Sequence, residues 1–215
     1  MQALKVESSI SWHFDTSPLA LGEIVSPQIS IAGWKRDVNS AIQQYFDSVF
    51  HSLGLGIRGV FSIDDMISEL TKSLPDGQGK NETVKDIFLL SDMLTCLFDC
   101  RSVGLRLVPL TSAMCPKFHT DNIPVRLLTS YLGQGTQWLP IESLYEYPPK
   151  ALEGKLSKTN FDMFYQQKSV RQLQAFDVAL LKGSAWPDHE KNAAVHRSCR
   201  VGLDEKRVLL TLDPM

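Results

Sequence analysis

Two hydrophobic periodicities divide the chain. Up to about residue 100, apolar residues recur every three or four positions, the spacing of an amphipathic helix. Val38, Ile42, Tyr45, Phe46, Val49 and Phe50 form one such face, opened by Trp34 and closed by Gly54 and Gly56. Ser62 with Asp65 three residues on marks a second helix start, continued by Met66, Ile67, Leu70 and Leu74. The run Pro75-Asp76-Gly77-Gln78-Gly79 is a loop. Asn81 is positioned to cap a third helix whose apolar side is Val84, Ile87, Phe88, Leu94, Leu97 and Phe98. Residues 1–33 are punctuated by Pro18, Gly22, Pro27 and Gly33, which predicts loop with one strand near Ile29 to Ala32. Ile57 to Phe61 is too short to assign.

After Arg101 the pattern changes to short apolar runs separated by turns. Strands are expected near residues 103–111, 116–121, 125–132, 136–141, 170–176, 177–182, 193–197 and 206–212. Seven or eight such strands suit a jelly roll or cupin-like barrel. The stretch 142–168, with Tyr145, Tyr147, Phe161, Phe164 and Tyr165, interrupts them and has the length of a lid over a barrel mouth. No linker separates the halves. The expected architecture is therefore one α+β unit. Residues 1–101 form a helical N-terminal cover, packed on a C-terminal double-stranded β-helix at 102–215.

Composition removes several functions. The formal net charge is −2, with 22 basic and 24 acidic residues, so no nucleic-acid footprint is visible. No stretch approaches the ~18 apolar residues of a membrane span, and the first residues lack the apolar run of a signal peptide. A cytoplasmic protein is expected. Cys96, Cys100, Cys115 and Cys199 form no C-x-x-C pair and are expected to be reduced. No G-x-S-x-G elbow, P-loop or dinucleotide fingerprint occurs.

What remains is the stretch Met114 to Pro140, which holds His119 and Asp121. Two residues apart on an extended strand, their side chains share a face. Imidazole and carboxylate together can hold a divalent metal. Alone, H-x-D is a weak signal in a chain with five histidines. The context strengthens it: A-A-V-H-R carries His196 to the end of a short strand, and R-V-L-L-T-L-D-P is a final strand that starts at Arg207. His196 is the expected third ligand. Cys115, four residues before His119, could add a thiolate and favour zinc, or be a small buried thiol before Pro116. Arg126 is a candidate anion clamp. Tyr131, Trp138 and Trp186 could line a pocket wall or belong to the core, and Thr129 and Gln137 could orient a ligand.

The order H-x-D, a long gap, His, then a basic residue one strand later resembles the Fe(II)/2-oxoglutarate-dependent dioxygenases. Their double-stranded β-helix carries a two-histidine-one-carboxylate triad. The resemblance implies Fe(II) at His119, Asp121 and His196, with Arg207 gripping the far carboxylate of 2-oxoglutarate. C-P-K-F-H-T-D-N-I-P-V-R-L-L-T-S-Y-L-G-Q-G-T-Q-W-L, with G-S-A-W-P, A-V-H-R-S and L-L-T-L-D-P, also resembles an uncharacterised bacterial family of unknown function. That family is often encoded beside zinc-responsive metallochaperone GTPases. It implies a different role, a non-enzymatic zinc-binding accessory protein with such a GTPase as partner. A partner-binding β-domain without metal or catalysis is the third possibility. Fe(II)-dependent oxygenation is the expectation taken forward, with substrate unspecified.

Overall fold

The computed structural model describes residues 10–144, 169–187 and 192–215. Its strands are β1 (Trp12–Asp15), β2 (Ile31–Trp34), β3 (Ile57–Ser62), β4 (Ser102–Leu110), β5 (Val125–Leu132), β6 (Gln137–Leu139), β7 (Arg171–Gln172), β8 (Val178–Lys182), β9 (Val195–Arg197) and β10 (Arg207–Pro214). The α-helices are α1 (Ser40–Val49), α2 (Met66–Ser73) and α3 (Lys80–Phe98), and a 3-10 helix spans Pro18–Val25.

Seven strands form one sheet in the order β1-β2-β8-β5-β10-β4-β3, and three form a second, β7-β6-β9. A single bridge, His119 to His196, joins the H-x-D segment to the free side of β9. From β4 onward the chain crosses repeatedly between the sheets, with β4, β5, β8 and β10 in the large one and β6, β7 and β9 in the smaller one. The expected strand at 116–121 is reduced to that bridge. Pro116 and Pro124 flank it, and neither can donate a ladder hydrogen bond.

The helices-then-strands order expected of the fold is not what the chain does. β1, β2 and β3 all precede residue 63 and extend both ends of the large sheet. β1 and β2 have only four residues each, so their stability comes from their neighbours, β2 pairing antiparallel with β8. α1 begins at Ser40 rather than near Trp34. Asn39 accepts from the amides of Ala41 and Ile42 at 3.1 and 3.3 Å, a cap worth about 1 kcal/mol. Upstream of it, Arg36 is drawn to Asp86 on α3, at 2.7 Å. No helix among the described residues is long and apolar enough to cross a membrane.

Strand alternation sorts side chains onto two faces. Leu105, Leu107, Leu127, Tyr131, Leu180, Leu210 and Leu212 pack against Tyr45, Phe46, Leu70, Ile87 and Leu90 of the helices. Val108, Leu128, Trp138, Ala179, Leu181 and Leu209 fill the space between the two sheets. The polar site lies in that same inter-sheet space.

Candidate metal centre

His119 and His196 are opposed across their bridge, exchanging backbone hydrogen bonds at 3.0 Å in both directions. Opposed residues project to the same side, which sets the two imidazoles beside each other, tilted by 47° with ring centres 4.6 Å apart. Asp121, two residues on, follows His119 inward. Its Oδ1 lies 3.6 Å from His119 Nε2 and its Oδ2 lies 3.7 Å from His196 Nε2. One ligand atom from each of the three falls within 4.8 Å of the others.

The loop that carries Asp121 is held from below. Ser184 donates its amide to the Asp121 carbonyl at 2.8 Å, and Gly183 donates to Pro124 at 2.8 Å. Gly183 permits this approach, because a Cβ there would collide with the Ile123 carbonyl.

The donor set fits a divalent metal. His119 Nδ1 is tied to the Lys117 carbonyl at 2.9 Å and His196 Nδ1 to the Ala194 carbonyl at 3.1 Å. A carbonyl accepts only, so each Nδ1 carries the proton and each Nε2 presents a lone pair. Two imidazole nitrogens and a carboxylate oxygen on one side leave further coordination positions free, the arrangement of non-haem Fe(II) sites.

Without a metal the three side chains perturb one another's protonation. Burial alone would raise the Asp121 carboxyl, but its neighbours His119, His196 and Arg126 outweigh it. They hold it well below the ordinary carboxylate range. Burial pushes His196 below its usual value, with Asp121 only partly opposing. His119 moves the other way, because the nearby Asp121 carboxylate and the Lys117 carbonyl outweigh its burial.

Three arginines line the cavity of about 190 Å³ that holds this triad: Arg106, Arg126 and Arg207. Arg126 is no free clamp. Its Nη1 donates to Asp121 Oδ2 at 2.6 Å, while Nε and Nη2 grip both oxygens of Asp213 at 2.7 Å. Those two carboxylates raise its pKa against the depressing effect of burial.

Arg207 is 1% exposed. It donates to the hydroxyls of Ser198 (2.8 Å), Ser130 (3.2 Å) and Thr136 (3.0 Å). Its Nε has no partner, and no carboxylate among the described residues pairs with it. Burial therefore lowers its pKa, with only Cys199 opposing.

The remaining expected site residues lie elsewhere. Cys115 is at the cavity rim, exposed, and its sulfur is outside the converging ligand group. None of the three aromatics lines the cavity. Tyr131 is on the helix-facing side, donating to Asp86 at 2.7 Å. Trp138 stacks on Phe14 in the inter-sheet core, and Trp186 packs on Phe98. Thr129 is buried on the helix side, and Gln137 accepts from Arg197 at 2.8 Å. The lid expected over 142–168 lies, from 145 on, outside the described residues.

Sequence reasoning missed Asp213, Ser130, Thr136, Ser198 and Arg106. Period-two spacing from Arg207 already puts Asp213 on its face, and this signal was there to be read. The hydroxyls carry no motif.

A family model described as "Protein of unknown function (DUF1826)" matches residues 15–213. No curated protein matches the chain. Among solved structures, HygX from Streptomyces hygroscopicus with iron bound is similar at 12% identity and a TM-score of 0.49, covering 91% of this chain and 85% of that one. A rice dioxygenase for auxin oxidation is similar at 14% identity and a TM-score of 0.48, covering 86% and 73%. A Pseudomonas putida prolyl-4-hydroxylase is similar at 6% identity and a TM-score of 0.45, covering 91% of each chain. All three TM-scores are below 0.5.

Proposed function

The chain belongs to the DUF1826 family of proteins of unknown function, and we propose that it is a mononuclear non-haem Fe(II) oxygenase using 2-oxoglutarate. The repeated crossing of the chain between two facing sheets from β4 to β10 supports a jelly-roll, double-stranded β-helix frame for it. His119, Asp121 and His196 would hold Fe(II), which when bound supplies the activation of dioxygen.

The observation that carries the proposal is Arg207. A guanidinium buried without a counter-charge costs several kcal/mol of desolvation. Here it shares a cavity with a metal-competent triad and is ringed by three hydroxyls. A dicarboxylate would supply the missing charge. One carboxylate would pair with Arg207 in bidentate geometry, steadied by Ser130, Thr136 and Ser198, and the other end would face the triad. Val108, Leu128 and Leu209 form apolar wall between the polar ends and limit water there.

Arg126 has a separate task. Its bond to Asp121 Oδ2 leaves Oδ1 for the cation and keeps the carboxylate ionised. A zinc-binding accessory role would be better served by a closed ligand set, and Cys115 does not join the three.

The test is anaerobic titration of Fe(II)-loaded protein with 2-oxoglutarate. A metal-to-ligand charge-transfer band is expected, lost in His119→Ala and not formed at the same co-substrate concentration in Arg207→Met. Loaded wild-type protein with no band would refute the proposal.

A further inference from the structure

Arg106 is the third arginine of the cavity, and no carboxylate among the described residues pairs with it. On β4 it stands opposite Thr211 of β10, and on the other side opposite Arg58 of β3. Residues directly opposed in an antiparallel pair project to the same face with Cβ atoms roughly 5 Å apart, and like charges so placed repel. Arg58 and Arg106 are such a pair. Among the described residues neither has a hydrogen bond or ion pair to a carboxylate.

Position adds to this. β3 is the edge of the seven-stranded sheet, so Arg58 is exposed at the rim while Arg106, half-buried, faces the cavity. The other charges are already matched. Arg126 is held by both Asp121 and Asp213, which more than match its charge. Arg207, enclosed by its three hydroxyls, is the co-substrate's partner in the function proposed above. Two adjacent cations at the open side of the site are left over.

We infer that the molecule acted upon presents an anionic group, a carboxylate or a phosphate, to Arg106 and Arg58. Two guanidiniums side by side offer several N–H donors to one such group, the pattern that recognises planar or tetrahedral oxyanions. The inference rests on the oxygenase assignment for what happens next to that molecule, but not for the binding itself.

The test uses full-length protein loaded with zinc, which is diamagnetic and redox-silent, and saturated with 2-oxoglutarate. Inorganic phosphate, acetate and neutral acetamide are titrated while arginine Nε–Hε resonances are followed by NMR, those of Arg106 and Arg58 being assigned by substitution to lysine. Saturable shifts of both are expected with at least one anion and none with acetamide. Tighter phosphate binding identifies a phosphorylated substrate, and tighter acetate binding a carboxylated one. Arg106→Gln should weaken the preferred anion by about tenfold or more, and Arg58→Gln by less, with 2-oxoglutarate affinity held within about twofold. No saturable shift with either anion overturns the inference, as does unchanged anion affinity in Arg106→Gln. If 2-oxoglutarate itself fails to bind, the oxygenase assignment falls alone, and the same titration on metal-free protein still decides the anion site.

Discussion

Arg126 Nη1 lies 2.6 Å from Asp121 Oδ2, and the opposite edge of the same guanidinium is locked onto Asp213. Asp213 thereby fixes the orientation of a carboxylate it does not touch. Groups that orient a metal ligand typically alter affinity by about 10- to 100-fold when removed. Arg126→Gln and Asp213→Asn are each expected to weaken metal binding by about that range, measured by competition with a chelating dye. Equal affinity in Asp213→Asn would mean that Asp121 is held by its loop alone.

Arg207 and stability should part company. With no carboxylate partner and a burial-lowered pKa, the side chain burdens the ligand-free fold. Arg207→Met should leave the ligand-free protein as stable as wild type or more so. In wild type, 2-oxoglutarate at 100 times its Kd should stabilise by about 2.7 kcal/mol, raising Tm by roughly 5–10 °C. The variant should lose that rise. Thermal unfolding of zinc-loaded protein with and without the dicarboxylate reads both effects.

Lys182 provides a pH signature. Burial lowers its pKa to about 8, and its ammonium meets the Ser26 carbonyl at 2.7 Å and the Trp186 face at 4.8 Å. Between about 8 and the ordinary 10.5 the unfolded chain binds more protons here than the folded one, so this group makes stability rise with pH across that window. Lys182→Met should be more stable than wild type at pH 7, by about 1–2 kcal/mol, with the gap narrowing towards pH 10. Denaturant unfolding at both pH values checks this, and a constant gap would contradict it.

Asp86 ties the helical layer to the sheet, accepting from Arg36 of the β2–α1 link and from Tyr131 of β5. Asp86→Ala strands a largely buried guanidinium and a buried phenol, an expected loss of about 3–5 kcal/mol. Tyr131→Phe removes one bond only and should cost about 1 kcal/mol. Denaturation midpoints with unchanged m-values would establish that order, and a smaller loss in Asp86→Ala than in Tyr131→Phe would reverse it.

What the sequence determined by itself was local. The periodicity placed α2 and α3 within a few residues, and bounded β5 as Val125 to Leu132. It put His119 with Asp121, because on extended backbone alternate residues must share a face. The shape of the gap to His196 and Arg207 carried the rest of the site. β2 was expected about two residues early, near Ile29 to Ala32, whereas β1 escaped notice because a four-residue strand has too little pattern of its own. The assignment of Arg126, Tyr131, Trp138 and Trp186 to pocket or core depended on which strand lies beside which, and pairing is decided by crossings between sheets. Only the assembled structure could put Asp213 onto Arg126 across 87 positions, or leave Arg207 and Arg106 facing one cavity without a carboxylate partner among the described residues. Alternation along a strand follows from backbone geometry within a few residues, whereas charge neutralisation depends on everything the fold gathers within a few ångströms.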